Sequence, residues 1–282
     1  MFMRPTTRDV LRKIAASTLY RPRFATADVS VGRGVQFGRN VVFNCRKVVI
    51  GDGVVFYDGV TVNADSFTIG DFGTIGAFSF FPGPGDLAIG HNFWLGSGSI
   101  VDSQGSTTIG NNVGIGAGSQ LWTHAAFGDV MAGCRFHGHK PLVIGDDVWL
   151  VGHCLVSPGS IGARALVLLG SVVTHDLEAD HTYGGVPAVD VTDKLGPQFA
   201  PTAASEREAY LRRRLDEFAR SYGVPNISAH VDVVRDWTRV DRKTESRTVF
   251  CVGDRTYLKQ RTRFERRLIR FLLPDAKFLP VG

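Results

Sequence analysis

Apolar residues recur every six positions from about Val31 to Val173. Val31-Gly-Arg-Gly-Val35, Ile50-Gly-Asp-Gly-Val54, Ile109-Gly-Asn-Asn-Val113, Ile115-Gly-Ala-Gly-Ser119 and Ile144-Gly-Asp-Asp-Val148 share one template. An aliphatic residue comes first, then usually Gly, then two turn formers, then a small or β-branched residue. Self-similarity at a short fixed period is the signature of a solenoid. Counted by first residue, the rungs begin at 31, 37, 43, 50, 56, 62, 69, 75, 89, 95, 101, 109, 115, 121, 144, 150, 156, 161 and 167. One-residue bulges fall near Lys47 and Ser66, and Gly105-Ser106 adds two residues. A longer insertion runs from Phe80 to Ala88, and the step from 156 to 161 is one residue short.

Strands this short, with a turn every six residues, do not form hairpins. Asn, Asp and Gly at the third and fourth places supply the turn conformations. The first aliphatic residue must point inward, because it is the only large apolar group in most repeats. Three rungs close one coil, and coils stack at about 4.8 Å, the strand spacing of a sheet. About six or seven coils would enclose one continuous apolar interior. The expected fold is therefore mainly β: a parallel β-helix over residues 25–195, interrupted by an irregular loop over 125–141.

The flanks follow other periods. In 1–24, Val10, Leu11, Ile14, Ala15 and Leu19 share one helical face. A helix there would cap the open first coil, as solenoid ends require. Its basic residues leave weak membrane-surface association open. Arg4, Arg8, Arg12 and Lys13 occur without an apolar h-region, so no secretory signal is expected. After Val173 the beat stops, and Gly184-Gly185-Val186-Pro187-Ala188 reads as an exit turn. Residues 196–282 read as a small basic α/β appendage. Ser205 to Tyr222 is helical, with Tyr210, Leu211, Leu215 and Phe218 on one side and Gly223 ending it. His230 to Trp237 and Thr248 to Val252 are strands, and Gly253-Asp254 closes a hairpin into Arg255 to Leu258. Arg261 to Leu273 is a basic helix ended by Pro274.

Composition narrows the class without naming it. The chain has 282 residues, 44% hydrophobic and 21% charged, ordinary for a soluble globular protein. No run of eighteen apolar residues is present, so no membrane span is expected. Cys45, Cys134, Cys154 and Cys251 are scattered without CxxC spacing, as reduced thiols of a cytoplasmic protein would be. Residues 201–282 hold 18 Lys/Arg and 11 Asp/Glu, a net +7, which leaves −2 for residues 1–200. No nucleic-acid motif accompanies that basic excess, so a solvated face or an acidic ligand is the simpler reading.

One stretch goes beyond the repeat. It runs Leu121-Trp-Thr-His124, an irregular loop, then Ile144-Gly-Asp-Asp-Val-Trp149-Leu-Val-Gly152. Pro158-Gly159, Leu169-Gly170-Ser171-Val172-Val173-Thr174 and Gly185-Val186-Pro187-Ala188 follow. These segments resemble the hexapeptide-repeat acyltransferases, and most closely the branch that uses acetyl-CoA to acetylate sugars and xenobiotic alcohols. The resemblance implies a left-handed coil, a homotrimer, and pantetheine lying in a groove between two subunits. It also implies His124 as general base and the Gly152 N–H as an oxyanion donor. Trp149, Gly152, Gly170 and Ser171 would line the cofactor groove.

The residue chemistry supports the same histidine. Acyl transfer from a thioester to a hydroxyl needs a base of near-neutral pKa, which imidazole supplies. His124 ends a rung where a loop leaves the coil, facing a cleft. In register, residues 101 and 121 lie one coil apart on one face. Gln104 should then stack near His124 with Asp102 close by, and either is placed to orient the imidazole or bind an acceptor hydroxyl. Trp122 joins them as an acceptor-binding candidate. Family CoA contacts are partly missing: His175 and Val189 stand where basic residues are usual. Lys194, Arg164 or the basic tail would have to replace them. Ser160-Ile161 also lacks one residue of the usual turn.

Three other readings stay in view: N-acetylation of a nucleotide-linked amino sugar, an acyl-carrier-protein donor, and a non-catalytic scaffold. A zinc site needs a convergent ligand set, and the eight histidines offer no five-residue spacing of the β-helix carbonic anhydrase kind, so no metal is expected.

Overall fold

The computed structural model describes residues 20–238, 240 and 246–281. The capping-helix expectation lies outside the described residues as far as residue 19. Arg23–Phe24 already form a strand, paired in parallel with Val42 and Phe43. The chain divides after Phe199 into two compact units.

The first unit is a stack of parallel coils. Val42 pairs with Thr61, Trp94 with Gly114 and Leu155 with Val172, so successive coils sit 19, 20 and 17 residues apart. Each interval is about three six-residue rungs. One ladder holds nine strands, from Gln36–Phe37 to Val189–Asp190. The remaining rungs form a thirteen-stranded sheet. It joins two faces because Val42–Ile50 and Thr61–Ile69 run on across a corner as nine-residue strands.

The first residue of each rung points inward. Val31, Phe37, Phe43, Ile50, Phe56, Val62 and Ile69 are buried, as are Leu95, Val101, Ile109, Ile115 and Leu121 further along. Rings stack with the coils: Phe24 on Phe43 with centroids 5.0 Å apart, and Phe37 on Phe56 at 5.3 Å. Burying such a side chain contributes about 1.5–3 kcal/mol.

The third place of the template has a structural task. Its side chain accepts the backbone N–H of the coil before it. Asp52 Oδ1 accepts from Arg33 at 2.6 Å, Asp71 Oδ1 from Asp52 at 2.7 Å and His91 Nδ1 from Asp71 at 2.9 Å. Asn111 Oδ1 takes the next N–H, from His91 at 2.9 Å, and Asp146 Oδ1 takes that of Asn111 at 2.6 Å. His91 therefore belongs to a corner ladder. The fourth place turns the chain: Asn92, Asn112 and Asp147 adopt φ of 57°, 59° and 57°.

The second unit holds a four-stranded sheet and two long helices. Val231–Val234 runs parallel to Thr248–Cys251, which pairs antiparallel with Thr256–Leu258. A fourth strand, Leu279–Val281, adds in parallel. Ala204–Tyr222 buries Leu211, Leu215 and Phe218, and Gly223 ends it at φ 63°. Thr262 caps Arg263–Leu272 by accepting the Glu265 N–H at 3.0 Å. Glu265 is itself buried; burial raises its pKa against three donors that favour its charge. None of the described helices is long and apolar enough to cross a membrane.

Candidate active site

The rung Gln120–Leu121 ends at Trp122, and the chain then leaves the coil. His124–Ala125 pairs antiparallel with Gly138–His139, setting His124 opposite His139. This hairpin forms the base of the loop expected over 125–141. Lys140 N–H donates to the Thr123 carbonyl at 2.9 Å, bringing the chain back to the coil. Between hairpin and coil lies a cleft of about 590 Å³. Trp122, His124, Leu155, Ser157 and Val172 line its coil side, and Arg135 to Lys140 line its loop side.

His124 faces this cleft with its side chain 25% exposed, and its Nδ1 lies 2.7 Å from Asp102 Oδ2. The Asp102 side chain is fully buried. Its Oδ2 also accepts the Thr123 N–H at 2.9 Å and the Thr123 hydroxyl, while Oδ1 accepts the Gln104 N–H at 3.3 Å. Burial opposes the charge, but the Thr123 hydroxyl, His124 and two backbone N–H groups outweigh it. The Asp102 pKa lies below the ordinary carboxylate value. An ionised carboxylate only accepts, so Nδ1 carries a proton, and in the neutral imidazole the Nε2 lone pair is left for the cleft. No described protein group bonds Nε2. Trp122 sets its ring edge-on to the imidazole at 5.8 Å and donates Nε1–H to Gln120 at 3.2 Å.

Of the two residues the register placed near His124, Asp102 reaches it. Gln104 meets Asp102 through its backbone N–H. The groove candidates lie elsewhere on the coil. Trp149 is half-exposed on the nine-stranded ladder between Gly114 and Leu166. Gly152 is buried at the corner after that rung, at φ 150°, and no described group accepts its N–H. Gly170 N–H donates to the Gly152 carbonyl at 2.9 Å, and a Cβ on Gly170 would meet nothing within 4 Å. Ser171 is buried, its hydroxyl given to the Leu168 carbonyl at 2.7 Å. Lys194 is exposed in the short helix Thr192–Leu195. None of these five lines the His124 cleft. Arg164, named as a substitute phosphate contact, pairs with Asp180 and lies over Phe199.

The loop side was not among the expected site residues. Arg135, His137, His139 and Lys140 fall in a stretch without repeat register, and the one signal was their density within six residues of the loop that follows His124. Another histidine–carboxylate pair, His181 with Asp190, sits away from the cleft. The Asp190 carboxylate raises the His181 pKa, and bonds from Thr192 and His181 hold Asp190 down at about 2. Among the described residues, no group of three His, Cys, Asp or Glu side chains is arranged to hold a metal ion.

No protein-family model matches the sequence. Among solved structures, the chain is similar to a point mutant of AntD, an N-acyltransferase from Bacillus cereus, in complex with dTDP and coenzyme A. That match has 17% identity over 76% of this chain and 97% of the other, at a TM-score of 0.42. It is also similar to a hexapeptide-repeat acetyltransferase from Vibrio cholerae, at 21% identity over 65% and 78% of the two chains and a TM-score of 0.32. A maltose O-acetyltransferase from Clostridium difficile 630 matches at 18% identity over 65% and 72%, with a TM-score of 0.27.

Proposed function

We propose that this chain is an acetyl-CoA-dependent O-acetyltransferase acting on a sugar hydroxyl by direct transfer. The observation that carries the reading is the 2.7 Å pair between His124 Nδ1 and the buried Asp102, with Nε2 left toward a cleft. A buried carboxylate behind an imidazole fixes its tautomer and steadies the imidazolium that forms on proton uptake. His124 Nε2 takes the acceptor hydroxyl proton as the oxygen attacks the thioester carbonyl carbon. The tetrahedral oxyanion is met by the Gly152 N–H. The C–S bond then breaks, and His124 returns the proton to the departing CoA sulfur.

The oriented base favours a hydroxyl over the amine of a nucleotide-linked sugar. An amine attacks as its neutral form and depends less on a base. Gly152, Trp149 and Gly170 lie outside the His124 cleft, so their roles require a second copy to bring its groove alongside. We propose a homotrimer of left-handed coils in the cytoplasm, with the N-terminal segment as a cap and 196–282 as an appendage.

The test is thiol release from acetyl-CoA with a panel of sugars. The parent should release thiol only with an acceptor, and His124→Ala should lose roughly 10²–10⁴-fold in kcat. An amine-only acceptor profile with little His124 dependence would give the N-acetyltransferase reading instead. No binding of acetyl-CoA at all would return the scaffold and carrier-protein readings.

A further inference from the structure

The cleft is lopsided in charge. Arg135, His137, His139 and Lys140 face it from the loop, with His124 opposite, and no Asp or Glu lines it. Apart from His124, none of these bases is ion-paired to a described carboxylate. The nearest acid of the site, Asp102, is fully buried behind His124, and its oxygens are occupied by His124, Thr123 and Gln104. Its charge is therefore spent inside the coil corner. Clefts lined by one sign of charge against low-dielectric walls concentrate ligands of the opposite sign. Here Leu155, Pro158 and Val172 form such a wall.

The placement of the cations says which end of which substrate they meet. Lys140 N–H bonds the carbonyl of Thr123, the residue before His124, and His139 is the strand partner of His124 itself. The loop that carries Arg135 and Lys140 is thus tied to the backbone beside His124, and both residues line the cleft that His124 faces. CoA carries its phosphates at the far end of the pantetheine arm from its thioester. An anion held beside the reacting centre therefore comes from the acceptor. We infer that the acceptor is an acidic saccharide, carrying a carboxylate or phosphate near the hydroxyl that is acetylated, with Arg135 and Lys140 as its ligands. Arg135 offers the planar fork that suits a carboxylate or phosphate, and Lys140 a point charge. Phe136, 80% exposed at the same rim, gives the sugar ring a face to stack on. This inference rests on the transferase reading for the reaction, although the binding it describes does not need turnover.

The experiment compares Arg135→Ala/Lys140→Ala with the parent on matched acceptors: glucuronate against glucose, and glucose 1-phosphate against methyl glucoside. The parent should prefer the acidic member of each pair. The double variant should lower the acidic-to-neutral ratio of kcat/KM by roughly tenfold or more, since two charge-assisted contacts to the anion are lost. Raising the salt should erode the same preference in the parent. Lys140→Arg should retain most of the ratio. A donor arm uses acetyl-pantetheine, which lacks the phosphates. If the double variant raises KM for acetyl-CoA and leaves acetyl-pantetheine unaffected, the cations serve CoA and the inference is overturned. It also falls if acidic and neutral acceptors are used alike. Binding of glucuronate to the CoA-free protein by calorimetry separates the two levels. Binding weakened by the double variant, without thiol release from any acceptor, would sustain the anion site and sink the transferase. Thiol release without acidic preference would do the reverse.

Discussion

A single buried carboxylate orients the imidazole that faces the cleft. Asp102→Asn keeps the size of the side chain and removes its charge. An amide can donate to His124 Nδ1 instead of accepting from it, which would place the imidazole proton on Nε2 and remove the base. We expect kcat to fall roughly 10²–10³-fold with KM little changed, read in a steady-state assay. The same carboxylate links stability to pH. Its folded pKa lies below the unfolded value of about 3.9, so its contribution is present above that value. It is lost as the pH falls through the folded value. The melting advantage of the parent over Asp102→Asn should therefore be full near neutrality and shrink below about pH 4 in a thermal scan. His124 was legible as the candidate base because it ends a rung within a recognisable motif. Its partner was narrowed to two residues. Asp102 and Gln104 differ by two places on one rung, and the choice depends on how far each side chain reaches around the corner. Asp102 turns inward and takes the Thr123 N–H as well as the ring, and no periodic pattern encodes that.

The coils were legible because each rung repeats one physical requirement, an apolar residue inward and a turn former at the corner. The cost of breaking either can be predicted. Phe43 is fully buried and its ring contacts those of Phe24, Phe37, Phe56 and Phe67. Phe43→Ala should cost about 3–5 kcal/mol in urea unfolding. The second place is Gly because the next coil passes too close for a side chain. A Cβ on Gly116 would stand 1.9 Å from the Val151 carbonyl oxygen. Gly116→Ala should therefore cost about 1–3 kcal/mol, and its effect should appear as coil separation rather than lost hydrophobic burial, with an unchanged m-value. Elements without the six-residue requirement were harder to read. The His124–Ala125 and Gly138–His139 hairpin has two residues per strand and no alternation to announce it. Leu279–Val281 contains Pro280, which argues against a strand until the edge position is known. The helices of the second unit were readable within two residues, because their apolar spacing and the stops at Gly223 and Pro274 are local signals.

At the scale of the whole molecule, one coil stack does not assemble the proposed reaction. The base looks into one cleft, while the unpartnered Gly152 N–H and the half-exposed Trp149 belong to another part of the surface. If both serve one reaction, the base and the donor groove come from different copies. Closed ring symmetry supplies such a pairing, with each copy offering one surface to the left and another to the right. This has a consequence that mutants of single copies do not test. His124→Ala should lose the base, and Trp149→Ala should lose thioester binding, with KM for acetyl-CoA raised roughly tenfold. Neither alone should be efficient. Unfolded together and refolded at equal amounts, they should form mixed rings. A competent site then needs His124 from a Trp149→Ala copy and Trp149 from a neighbouring His124→Ala copy. Random assembly gives that pairing at about one site in four. Recovery of about a quarter of the parental kcat/KM in the mixture, with none on mixing without refolding, is the expected outcome. Sedimentation of the same samples should show one assembly larger than the single chain. If the refolded mixture recovers nothing while the parent refolds well, base and donor groove act within one chain, and Gly152 and Trp149 lose their proposed roles.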